Sequence, residues 1–350
     1  MTFINRLILA LISLCVAVST IAVIHSSKSA SVISVTNLEA GGPGSLRKCA
    51  EASGPRVCKF DVAGTIKLTS DIRIENPNIV ISGETAPSPG ITITGAGVII
   101  KTHDVHISHI RVRPGDALTG PDPEDRDAFR VETGSYDVVL DHVSASFAVD
   151  ENIGIWGENI RDITVSNSII SNGLDKSIHP KGPHSKGMLV GADSYPPQNI
   201  SIVRNLFANN RSRNPLVNNG FIANNVIFGW DIMGTNVRGS TTPDMPHEAS
   251  IIGNVYISTK RSSSPIYMER NLHKDSKVFV SDNILNRSIF KISQNFIFSN
   301  ESPWIPYGYS MLPSNETLDY VVKNVGSRPD DRDAVDAKTI QDILDHMAGV

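Results

Sequence analysis

Beyond residue 60 the chain repeats one short phrase: an aliphatic run, one or two small or polar positions, then Asn, Asp or His. VHISHI (105–110), VVLDHV (138–143), ITVSNSI (163–169), ISIVRNLF (200–207), FIANNVIF (221–228), SIIGNVYI (250–257) and VFVSDNIL (278–285) are its versions. The runs are too short for buried helices and rich in β-branched residues, so each reads as a buried strand. Their polar marks, His109, His142, Asn167, Asn205, Asn225, Asn254 and Asn283, lie 33, 25, 38, 20, 29 and 29 residues apart. An interval near 20 leaves no room for a crossover helix. Coils of constant circumference carrying loops of different length do satisfy it. The pattern therefore predicts an all-β fold, a parallel β-helix. Asn167, Asn205, Asn225, Asn254 and Asn283 should form an internal ladder, with His109 and His142 as its first members.

The ends read differently. From Val32 the chain predicts a strand, a Gly/Pro turn and a short capping helix over the open end of the coils. Ser45 is its N-cap, Leu46, Cys49 and Ala50 its apolar face, and Gly54-Pro55 its stop. A C-terminal helix from about Asp333, with Val335, Ile340, Ile343 and Leu344 on its apolar side, should fold back along the coils. Between Arg287 and Asp319 no repeat is visible, and that stretch reads as irregular surface chain.

Residues 1–30 carry Arg6, an apolar run from Leu7 to Ile24 and a small-residue exit at Ser26, Ser27, Ser29 and Ala30, the layout of a secretory signal peptide. The run also reaches the length of a bilayer span, so an uncleaved anchor is the alternative. Residues 31–350 then form one secreted, extracellular domain. Losing Arg6 and Lys28 moves the formal charge from −4 to −6, which excludes a nucleic-acid binder by charge. In an oxidising compartment, Cys49 and Cys58, close in sequence, are expected to form a local disulfide.

The chemistry gathers around residues 136–157. Asp125 and Asp127 sit in a Pro/Gly-rich loop, and Asp150 and Glu151 follow one strand-turn unit later, which suggests a cation site. Arg211 and Arg213, two apart on an extended segment, should point the same way. They follow Asn205 as Asp150 follows His142, so they are expected to share one groove with the acids. Between them, residues 174–191 hold Lys176, His179, Lys181, His184 and Lys186, a basic loop suited to an acidic substrate.

The elements RDAFRVE, VVLDHVSASFAVDE, HPKGPHSKG, NNRSRNP, NNVIFGW and NVGSRPDDRDAVDA resemble the pectate lyase family of secreted polysaccharide lyases, from about Val35 to the C-terminus, and most closely its compact bacterial and fungal branch. The resemblance implies a right-handed, single-stranded parallel β-helix that cleaves de-esterified α-1,4-galacturonan by β-elimination with Ca²⁺. Asp125 and Asp127 match the family's first acidic pair, Asp150 the acid on the next coil, and Arg213 the base. Lys186 matches the substrate lysine, with Lys181 as the alternative, and Arg211 and His184 join them in the expected substrate-binding set. The expected partner is a pectate oligosaccharide, with no nucleic acid and no membrane once the signal is removed, and the protein is expected to be a monomer.

Two departures stand out. Gly154 occupies a position where many relatives carry a further acid, leaving Glu151 to substitute as a metal ligand, or Ca²⁺ to bind mainly with substrate. Leu216, Val217 and Asn218 stand where some relatives have a second substrate arginine, for which Arg211 is the candidate replacement. The competing readings are a β-helix polygalacturonase, which would need Asp150 and Glu151 as acid and base, a pectin lyase, against which the retained acids argue, and a non-catalytic polysaccharide-binding β-helix.

Overall fold

The computed structural model describes residues 30–239, 245–269, 272–286, 288–289 and 299–349. The secretory signal expected over residues 1–30 therefore lies almost wholly outside the described residues. Among these, no helix is long and apolar enough to cross a membrane.

Among the described residues, twenty-eight strands form three sheets that wind together as a parallel β-helix. The first sheet stacks ten strands from Ser31–Val35 to Lys277–Ser281, the second eight from Ile72–Ile74 to Ile266–Met268, and the third ten from Gly64–Lys67 to Ser288–Ile289. Each strand pairs in parallel with those one coil away, except for one antiparallel pair at the end of the third sheet. Because register repeats from coil to coil, like stands on like. Val105, Val138, Ile163 and Ile200 form one fully buried column. Burying each such side chain contributes roughly 1.5–3 kcal/mol, which is why short aliphatic runs suffice.

The Asn ladder exists, displaced by one residue at its start. Asn205, Asn225 and Asn254 each donate Nδ2 to the Oδ1 of the next member, at 3.1, 3.0 and 3.0 Å, ending on Asn283. Upstream, the inward position is held by Ser168, whose N–H donates to Asn205 Oδ1, and by Val143, whose N–H donates to Ser168 Oγ. Asn167, His142 and His109 are thus not ladder members. They occupy the preceding corner, a left-handed turn with φ of 48°, 49° and 56° that Arg204, Asn224 and Asp282 take in later coils. Small polar side chains and His tolerate this conformation better than β-branched ones, so both corner and ladder select polar residues. Counting polar marks does not separate the two. His109 and His142 instead stack on each other, with ring centroids 4.8 Å apart.

The N-terminal helix, Leu46–Ala50, is as expected. Ser45 accepts the N–H of Lys48, Leu46, Cys49 and Ala50 are buried in the main core, and Cys49 is disulfide-bonded to Cys58. The C-terminal helix runs Ala334–Ala348 with Asp333 as N-cap, but its buried side is Asp336, Thr339, Ile340 and Ile343, and Leu344 faces solvent. A polar anchor causes the rotation: Asp336 receives Arg113 Nη2 at 2.8 Å and Ser144 Oγ at 2.6 Å.

The stretch before Asp319 is not wholly irregular. A helix spans Ser314–Asn324. Its Val321 joins Val325, Ile340 and Ile343 against Ile169, Leu206, Val226 and Val255 on the outside of the third sheet. Trp304 and Tyr309 cover Phe221 on the first sheet. The two C-terminal helices cover the third sheet, and the site lies along the edge of the second.

Candidate active site

In the second sheet Phe129 pairs with Ile153, Glu151 with Lys186, and Lys186 bridges to Ser212. Extended two residues back, that register puts Asp127, Glu151, Lys186 and Ser212 on one line across four coils. Spacings of about 4.8 Å follow from strand pairing. The acids and Arg213 therefore meet because each enters the same sheet at the same edge.

Arg126 builds the acidic loop. Buried, it donates Nη1 to Ala117 O at 2.7 Å and Nε to Pro121 O at 3.1 Å, while its own carbonyl accepts the N–H of Val149 and of Asp150. Asp127 Oδ1 accepts the backbone N–H of Glu151 at 2.9 Å. Carboxylate oxygens of Asp127, Asp150 and Glu151 lie within 4.8 Å of one another. Burial, and then the charge of Asp150, push the Asp127 carboxyl well above the ordinary carboxylate range. An all-oxygen cluster of acids, two of them buried and one, Asp127, resisting ionisation, is chemically matched to a hard divalent cation. Gly154 leaves space beside it, since a Cβ there would stand 2.6 Å from Asp127 Oδ2. Asp125 is at the rim, exposed and paired with Arg130 at 2.8 Å.

Arg213 reaches the cluster from the opposite side, its guanidinium ion-paired to the buried Glu151 carboxylate. Burial lowers its pKa; Asp150 then raises it and Arg238 lowers it, leaving the group below the ordinary arginine value. The two face a cleft of about 660 Å³ that is also lined by Asp125, Asp127, Arg130, Asp150, Trp156 and His184.

The expected basic residues divide. Lys181 lines the cleft, its amine 3.4 Å from Glu124, and His184 lies against Asp150. Lys186 donates Nζ to Ser212 Oγ at 3.1 Å; burial, and then Arg211, lower its pKa, and it does not line that cleft. Arg211 turns into a neighbouring cleft, pairing with Asp175 at 3.1 Å, so it does not point with Arg213. Arg213 has φ of 60°, which breaks the extended alternation on which a shared direction depended.

Arg130, Trp156 and Arg238 line the cleft and were not among the expected site residues. For Arg130 and Trp156 the signal was available in the strands FRVE and ENIGIW, where Arg130 pairs with Gly154, and Glu132 with Trp156, on the outward-facing positions.

No protein-family model matches the chain. A protein of Neosartorya fischeri named a probable pectate lyase C is 32% identical over 327 residues, covering 88% of this chain and 71% of that protein. Among solved structures, the major allergen of cedar pollen superposes with a TM-score of 0.66 at 15% identity, over 85% of this chain and 89% of that one. A pectate lyase from Bacillus sp. N165 in complex with trigalacturonate gives 0.57 at 15% identity, over 87% and 97%. With a stacked parallel β-helix, a cleft along its second sheet and a relative at this identity and coverage, the chain belongs to the pectate lyase family of polysaccharide lyases.

Proposed function

We propose that the protein is a secreted pectate lyase that cleaves de-esterified α-1,4-polygalacturonate by Ca²⁺-dependent β-elimination with Arg213 as base. The observation that carries this reading is the meeting of Arg213 with Asp127, Asp150 and Glu151 in one cleft. Asp127, Asp150 and Glu151 would hold the cation, with Asp125 contributing from the rim. When bound, Ca²⁺ supplies positive charge that neutralises the uronate carboxylate and stabilises charge developing beside it.

The chain's own residues account for the remaining steps. Lys181, exposed at the cleft, attracts the polyanion, and Lys186 and Arg211 flank the segment that carries Arg213. Arg213 accepts the proton from C5, the electron pair forms the C4–C5 double bond, and the C4–O bond to the departing uronate breaks, its oxygen taking a proton from solvent. An arginine base must be neutral, and burial favours that form. Asp150 and Asp127, which oppose it, are the acids assigned to the cation.

The test is ultraviolet absorbance of the unsaturated product on polygalacturonate, with Ca²⁺ and then with chelator. A chelator-sensitive rise supports the proposal. New reducing ends without absorbance would mean hydrolysis, and neither signal would mean a binding protein.

A further inference from the structure

His179 and His184 form a buried pair that the elimination chemistry does not use. Both come from the loop ahead of the strand Lys186–Gly191, held to the coils by His184 N to Asp175 O at 3.1 Å and Ser185 N to Leu174 O at 2.9 Å. Their rings stack with centroids 3.7 Å apart and 13° between planes. Both Nε2 atoms face one oxygen, Asp150 Oδ1, at 2.6 Å from His184 and 3.6 Å from His179. These are close polar contacts by distance, and neither Nε2 is aligned for a hydrogen bond to that oxygen or to any other group among the described residues.

Two histidines and a carboxylate also make a donor set for a transition metal. One feature speaks against it. Nδ1 of His179 accepts the N–H of Lys181 at 3.1 Å, which puts the ring proton on Nε2, where a metal would need a lone pair. The arrangement is that of a clamp on a carboxylate.

We propose that His184, backed by His179, is a positioning residue that fixes Asp150 for the cation. Beside Asp127 and Glu151 a free carboxylate would swing away from like charge. The imidazole Nε2 atoms crowd Oδ1 and leave Oδ2 to the cation, as the outer partners of metal-ligating groups do. This rests on the reading of Asp150 as a cation ligand, and it has His184 act through Asp150 in place of touching the substrate.

The experiment is a Tb³⁺ titration followed by tryptophan-sensitised emission, with Trp156 in the cleft as donor, and displacement by Ca²⁺. His184→Phe keeps the stack on His179 and removes the nitrogen; Ca²⁺ affinity should fall about 10- to 100-fold. His184→Gln returns an amide donor and should recover most of it. If His184→Phe does not fold by circular dichroism, His184→Ala takes its place. Wild-type Ca²⁺ affinity in the variant overturns the proposal. So does stoichiometric Zn²⁺ binding by the wild type that is lost in His179→Phe. A wild type that binds neither Tb³⁺ nor Ca²⁺ instead overturns the underlying cation reading.

Discussion

Glu151 and Arg213 are ion partners across the cleft, one carboxylate serving both the acidic cluster and the guanidinium. An anion at that place holds Arg213 in its charged form, which is the wrong form for a base. Glu151→Gln should therefore move the alkaline limb of the pH–rate profile to lower pH, while raising the Ca²⁺ concentration needed for half-maximal activity. In the wild type, activity should climb on the alkaline side of neutrality as Arg213 loses its proton. A profile unchanged in Glu151→Gln would show that the pair does not set the titration of Arg213.

Asp127 is the costly member of the cluster. Its raised pKa means that the folded protein disfavours the charged carboxylate, so at neutral pH this group subtracts stability that returns as pH falls and the carboxyl protonates. Asp127→Asn keeps an oxygen for the Glu151 N–H and removes the charge. Without Ca²⁺ it should be more stable than wild type by about 1–2 kcal/mol, read as a higher Tm by calorimetry. With Ca²⁺ the order should reverse, because only the wild type gains from the ion.

The C-terminal helix is held by charge as well as by apolar packing. Arg113 bridges Asp333 at 2.6 Å and Asp336 at 2.8 Å, and Arg111 lies 3.4 Å from Asp333. Asp336→Ala would leave buried guanidinium groups short of a partner, a loss of about 3–5 kcal/mol. Denaturant unfolding measures it, and a loss below 1 kcal/mol would mean that the helix stands on Ile340 and Ile343 alone.

Within the ladder, Asn225 donates to Ile202 O at 2.8 Å and to Asn254, and accepts from Asn205. Asn225→Leu should cost about 1–3 kcal/mol, because Ile202 O, Asn254 Oδ1 and both the Nδ2 and the backbone N–H of Asn205 lose a partner together. Chemical denaturation of Asn225→Leu beside wild type gives the comparison.

The coil architecture was legible because a strand that stacks on its own copy must repeat its residue types, and Val, Ile and Asn recur visibly. The one-residue error at Asn167, His142 and His109 has the opposite cause: corner and ladder positions are adjacent and both accept polar residues, and only φ distinguishes them. Asp127, Asp150, Glu151 and Arg213 could be linked from their offsets, since register carries sequence spacing into space. Arg211 could not, because the turn at Arg213 redirects the chain. The His179 and His184 clamp was hidden for a similar reason: a loop reaches back over the coils to Asp150, and no periodicity records where it lands. The helix Ser314–Asn324 was missed because the repeat had ended and its apolar side is narrow, with Val321 its fully buried aliphatic residue.

The most direct test of the central claim compares Arg213→Lys with wild type in the polygalacturonate absorbance assay at saturating Ca²⁺. Lysine keeps a cation for Glu151, so the fold and its Tm should hold, while turnover should fall by about 10²–10⁴-fold with the loss of the base. An Arg213→Lys protein that releases unsaturated product at the wild-type rate would contradict Arg213 as the base.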